Sequence, residues 1–128
     1  MRWSHLTQYE RKYLFEAMRA YDRIILVTDD IPRIARRYQL SVSDVQRAKD
    51  YAFGSGMGAS QFSPDIRMAE AWNRMASGQG NDLDEVLLRH EVFESDLVVN
   101  QGMSQPDAHN LAQARYPWSI LITRHNYE

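Results

Sequence analysis

Residues 82–94 read Asp82-Leu83-Asp84-Glu85-Val86-Leu87-Leu88-Arg89-His90-Glu91-Val92-Phe93-Glu94, and the chain runs on through Leu97 to Gly102. At about 100° per residue, Leu83, Val86, Leu87, Phe93 and Leu97 share one side of a helix. Asp82 with Glu85 makes a capping pair and Gly102 supplies a left-handed stop, so a helix is expected from Asp82 to about Gln101. His90 and Glu94 fall in the middle of the apolar stripe, and Glu91 lies at its edge. A buried carboxylate must be paired, so Glu94 one turn from His90 implies an ion pair, a bound metal or a reactive group.

Downstream, Ser104 with Asp107 starts a helix whose apolar face of Ala108, Leu111 and Ala112 has His109 at its edge. The short connection predicts that the two helices pack side by side and bring His109 towards His90. Upstream, Ser63-Pro64-Asp65 reads as the start of a helix over about 64–77, with Gly78 as its stop. Thr7 with Glu10 opens a first long helix through Tyr9, Tyr13, Leu14, Met18, Tyr21 and Ile25. Asp30 and Pro32 open a second helix, and Ser41 with Asp44 opens a third. The glycines of residues 54–62 form a connector between a basic helical unit, 1–53, and the unit bearing the His/Glu residues, 63–128. That connector lacks the preceding strand and Gly-Lys-Ser/Thr ending of a phosphate loop. After Arg115, the β-branched and aromatic run Tyr116 to Thr123 suggests a short strand or extended tail. The expectation is one all-α domain, 1–128, of about six helices.

Composition limits the function classes. Hydrophobic residues at 44% and charged residues at 25% are ordinary for a packed domain. The absence of cysteine removes disulfides, thiol nucleophiles and Cys-based zinc sites, and permits a reducing compartment. No apolar run approaches the ~20 residues that span a bilayer, so no membrane partner is expected. Residues 1–52 hold ten Lys/Arg against seven Asp/Glu, and residues 53–128 hold five against ten, giving +3 and -5. That excess is too small to establish nucleic-acid binding by itself.

Two imidazoles and two carboxylates, His90, Glu91, Glu94 and His109, suit general acid/base catalysis. The same set suits a divalent metal held by His90, Glu94 and His109, with Glu91 activating water as in H-E-x-x-H hydrolases, although the fifth position here is glutamate. A buried structural network is the alternative. Ile34 to Val45, within residues 31–53, reads as helix, turn and capped helix, like a helix-turn-helix, with Arg47 and Lys49 placed to meet phosphates and Gln39 in place of the turn glycine. Such hairpins are also ordinary architecture in all-α proteins.

Residues 31–118 resemble C-terminal toxin domains of bacterial polymorphic toxins, modules carried by contact-dependent or secreted delivery proteins. The likeness rests on Ile34-Ala35, Arg47-Ala48-Lys49-Asp50-Tyr51-Ala52-Phe53, Phe62-Ser63-Pro64-Asp65, Met68-Ala69-Glu70-Ala71-Trp72-Asn73-Arg74-Met75, Leu87 to Glu94, and Ala108-His109. Such sequences often carry histidine at the position of Tyr51. The resemblance implies delivery from a producing cell, a cytoplasmic site of action and a cognate immunity protein. It further implies a nuclease. For that activity the residues suggest His90 and His109 as the acid/base pair, Glu91 and Glu94 orienting them or holding a metal, and Lys49, Arg89 or Arg47 contacting substrate phosphate. The other readings are a non-catalytic nucleic-acid-binding helix-turn-helix module and a metal-dependent hydrolase.

Overall fold

A computed structural model describes residues 7–54 and 64–127. Along the chain run α1 (Gln8–Leu26), α2 (Asp30–Tyr38), α3 (Val42–Phe53), α4 (Ile66–Ala76), α5 (Asp82–Ser95), a π-helical turn (Asp96–Asn100), α6 (Gln105–Arg115) and α7 (Trp118–Tyr127). There is no strand among the described residues, and the fold is all-α.

Local chemistry sets most helix starts. The hydroxyls of Thr7, Ser41 and Ser104 accept from the backbone N–H groups of Glu10, Asp44 and Asp107. Asp65 caps α4, while Ser63 and nearly all of the glycine connector lie outside the described residues. The cap of α5 sits one residue before the expected one: Asn81 and Asp84 form the reciprocal box. Asp84 is buried and also accepts two hydrogen bonds of 2.8 Å from Arg74, which ties the start of α5 to α4. Between α2 and α3 the turn needs a left-handed residue, and Gln39 adopts φ 58° there.

The segment expected as a short strand or extended tail is instead α7, so the described residues hold seven α-helices where about six are expected. Its β-branched residues have no strand to pair with among the described residues. The helix buries Trp118 against Leu87 and Ala71, with Ile122 one turn on, and this packing outweighs propensity.

The main core joins α1, α2, α3, α4 and α5 around Ile34, Val45, Met75 and Leu88. Phe53 meets the rings of Tyr21 and Trp72 edge-on at 4.8 and 5.4 Å. Helix α5 is the central element, packed by α3, α4, α6 and α7. At its end the π-helical turn inserts an extra residue, so that neighbouring Leu97 and Val98 both turn inward against Tyr51 and Ala108. Gly102, at φ +71°, then reverses the chain into α6. No helix among the described residues is long and apolar enough to cross a membrane.

Candidate metal centre

The stripe of α5 carries His90 and Glu94 into the interior, where they are 5% and 2% exposed. Glu94 gathers three donors from three helices. Its Oε1 lies 3.0 Å from His90 Nε2 and 2.9 Å from His109 Nδ1 of α6, and its Oε2 accepts a 2.6 Å hydrogen bond from the Tyr51 hydroxyl of α3. The two imidazoles meet edge-on with centroids 5.3 Å apart. His90 Nδ1 is 3.0 Å from the Tyr116 carbonyl, which can only accept, so Nδ1 carries a proton and Nε2 is aimed at Glu94.

Both nitrogens of His90 thus face acceptors. Burial pulls its pKa down, but the bond to Glu94 and the charge of Glu91 outweigh burial, and the net direction is up. Burial likewise pushes Glu94 up, while hydrogen bonds from His90, Tyr51 and His109 win and hold it below the usual carboxylate range. Desolvation dominates at half-buried Glu91, which is pushed up to about 7 despite the neighbouring His90. The Tyr51 hydroxyl is raised by burial and by donating to Glu94.

One ligand atom each from His90, Glu94 and His109 lies within a 4.8 Å sphere of mutual distance. Two imidazole nitrogens and a carboxylate oxygen are the donor set of a three-ligand zinc-type centre with an open fourth position. The Nδ1–H of His90 on a backbone carbonyl and the phenol on the remaining carboxylate oxygen are the outer contacts that orient such ligands. These three residues, with Glu91 and Tyr51, line a cavity of about 290 Å³ whose other walls include Tyr21, Met68, Leu87 and Trp118.

The structure brings together His90, Glu91, Glu94 and His109, but not the basic residues expected to contact substrate. Lys49 is buried, its ammonium 2.9 Å from Asp30 and hydrogen-bonded to the Val27 carbonyl; Trp72 Nε1 donates to the same Asp30 at 2.8 Å. It cannot meet a phosphate without breaking that pair. Arg47 is tied to Ser95, Asp44 and the Val92 carbonyl, and Arg89 to Glu85 and the Tyr38 carbonyl; both border a different groove beside Phe93. With Lys49 inward and Arg47 engaged, the exposed face of α3 presents Ser43, Gln46 and Asp50, and the α2–α3 hairpin serves the core. His125 is exposed, and His5 lies outside the described residues.

Tyr51 is the site residue that sequence reasoning missed. The signal lay in its position, one turn beyond Ala48 on the inward stripe of α3, because a buried phenol needs a hydrogen-bond partner. No family model, curated protein or solved structure matches this chain.

Proposed function

We propose that this protein is a divalent-metal-dependent hydrolase. The observation that carries the reading is the convergence of His90 Nε2, Glu94 Oε1 and His109 Nδ1 on one point of a cavity wall. His90 and His109 supply the nitrogens, Glu94 supplies charge, and Tyr51 and the Tyr116 carbonyl keep the ligands aimed. A borderline divalent ion of the zinc class suits this donor set and would polarise a carbonyl or lower the pKa of a bound water. Glu91, next to His90 and on the same cavity, would take the proton of that water.

A nuclease, which the toxin resemblance implies, has less support. A phosphodiester needs cationic groups around it, and no Lys or Arg is among the described residues lining the cavity. The test is calorimetric titration of chelator-stripped protein with zinc, followed by reporter esters, peptides, RNA and DNA with and without chelator. The expected result is one zinc per chain, lost in His90→Ala and His109→Ala, and chelator-sensitive hydrolysis of an acyl substrate. Chelator-sensitive cutting of RNA or DNA would replace the reading with the nuclease one; an absence of zinc binding would refute both metal mechanisms.

A further inference from the structure

We infer, resting on the hydrolase reading, that the substrate is an uncharged amide or ester whose bulky apolar group occupies the cavity beside His90, Glu94 and His109. Charge is the first argument. The cavity lining carries Glu91, Glu94 and Asp65, and Asp65 is the only one of the three with an arginine partner, Arg67 at 2.9 Å. A divalent ion among His90, Glu94 and His109 offsets the two glutamates and leaves nothing over for a phosphate. A neutral acyl group requires no such surplus.

The character of the wall is the second argument. The Tyr51 hydroxyl is committed to Glu94. The Tyr21 hydroxyl accepts from the Asp65 backbone N–H at 2.8 Å and lies 3.7 Å from Met68 Sδ. With their polar tips occupied, the two tyrosines line the cavity chiefly through ring surface, alongside Met68, Leu87 and Trp118. Gln113 and Ser119, also in the lining, are bonded to each other at 2.9 Å, and the indole Nε1 of Trp118 is buried without a hydrogen-bond partner among the described residues. Transfer of a leucine- or phenylalanine-sized group from water into such a wall is favourable.

Size is the third argument. An apolar cavity of about 150 Å³ takes benzene, so the 290 Å³ here holds one large side chain and the bond beside it. In the reaction, the water oxygen bonds to the carbonyl carbon and its proton passes to Glu91. The carbon–nitrogen or carbon–oxygen bond then breaks, and the proton moves to the leaving amine or alcohol. The products are an acid and an amine or alcohol, with water as the only co-reactant.

The test uses the zinc-loaded full chain and three probes: benzohydroxamate, acetohydroxamate and phenyl phosphate. Benzohydroxamate is expected to bind at least tenfold more tightly than acetohydroxamate, and phenyl phosphate, with the same ring but a dianion, at least tenfold more weakly than benzohydroxamate. Met68→Trp, which fills the cavity, is expected to erase the preference for the aromatic probe while zinc titration stays unchanged; an unchanged preference counts against this cavity. Equal binding of the two hydroxamates, or tighter binding of phenyl phosphate, overturns the substrate class and leaves the metal centre standing. Failure of zinc itself to bind overturns the hydrolase reading, and this inference falls with it.

Discussion

Replacing Glu91 by glutamine is expected to stabilise the metal-free protein at alkaline pH and to abolish the proposed hydrolysis. The carboxyl of Glu91 moves from its ordinary 4.5 to about 7, chiefly because burial disfavours its charge. A group raised in the folded state binds more protons there than in the unfolded chain, so stability falls as pH rises from 4.5 through about 7 and is level above. At about 1.4 kcal/mol per tenfold the full displacement corresponds to roughly 3 kcal/mol, and solvent reaching a half-buried group reduces this to about 1–2 kcal/mol. Glutamine keeps the shape and cannot ionise. Urea unfolding in chelator at pH 8 should therefore show Glu91→Gln with a midpoint about 0.5–1 M higher, for a slope near ~2 kcal/mol per M. The gap should close at pH 4.5 and shrink with zinc, whose charge favours the ionised carboxyl. Equal midpoints at pH 8, or a less stable variant there, would show that Glu91 is ionised and compensated in the fold.

Tyr51→Phe leaves Glu94 Oε2 without its donor, and zinc affinity measured by calorimetry should fall about 10–100-fold. Lys49→Met strands the buried Asp30 with Trp72 alone; urea unfolding should register a loss of about 3–5 kcal/mol with zinc affinity unchanged. Gly80→Ala would place a methyl 2.8 Å from Met75 Cγ and against the Tyr38 hydroxyl, lowering stability by about 1–3 kcal/mol in the same assay. Gln39→Gly relieves the left-handed turn and should raise stability by about 0.5–1 kcal/mol. Zinc binding should weaken as pH falls, because the ion must displace the proton that His90 Nε2 shares with Glu94; affinity that does not change between pH 6 and 8 would argue against His90 as a ligand.

The parts of this molecule legible in its sequence are those fixed by near neighbours. Thr7, Ser41 and Ser104 announce their helices because a cap acts over three residues. His90 and Glu94 announce an interior polar pair because helical periodicity dictates which way they face. His109 follows from the short connection between α5 and α6. What stayed hidden depends on partners distant in sequence. Lys49 carries the charge of a phosphate-binding residue, and only its pairing with Asp30 across the fold makes it structural. The segment that becomes α7 has strand-like composition, and only burial of Trp118 against Leu87 selects the helix. The cap of α5 was misplaced by one residue because Arg74, from another helix, helps to select Asp84.

The Tyr116 carbonyl accepts from His90 Nδ1 at 3.0 Å and from the Trp118 backbone N–H at 2.8 Å, so one oxygen both aims the imidazole and closes the turn into α7. For an ion held there as proposed, affinity would double as a gauge of how firmly the C-terminal helix is docked. Whatever loosens α7 from α5 slackens the imidazole, and the coupling is reciprocal: occupancy of the centre should slow hydrogen exchange at the amides of α7.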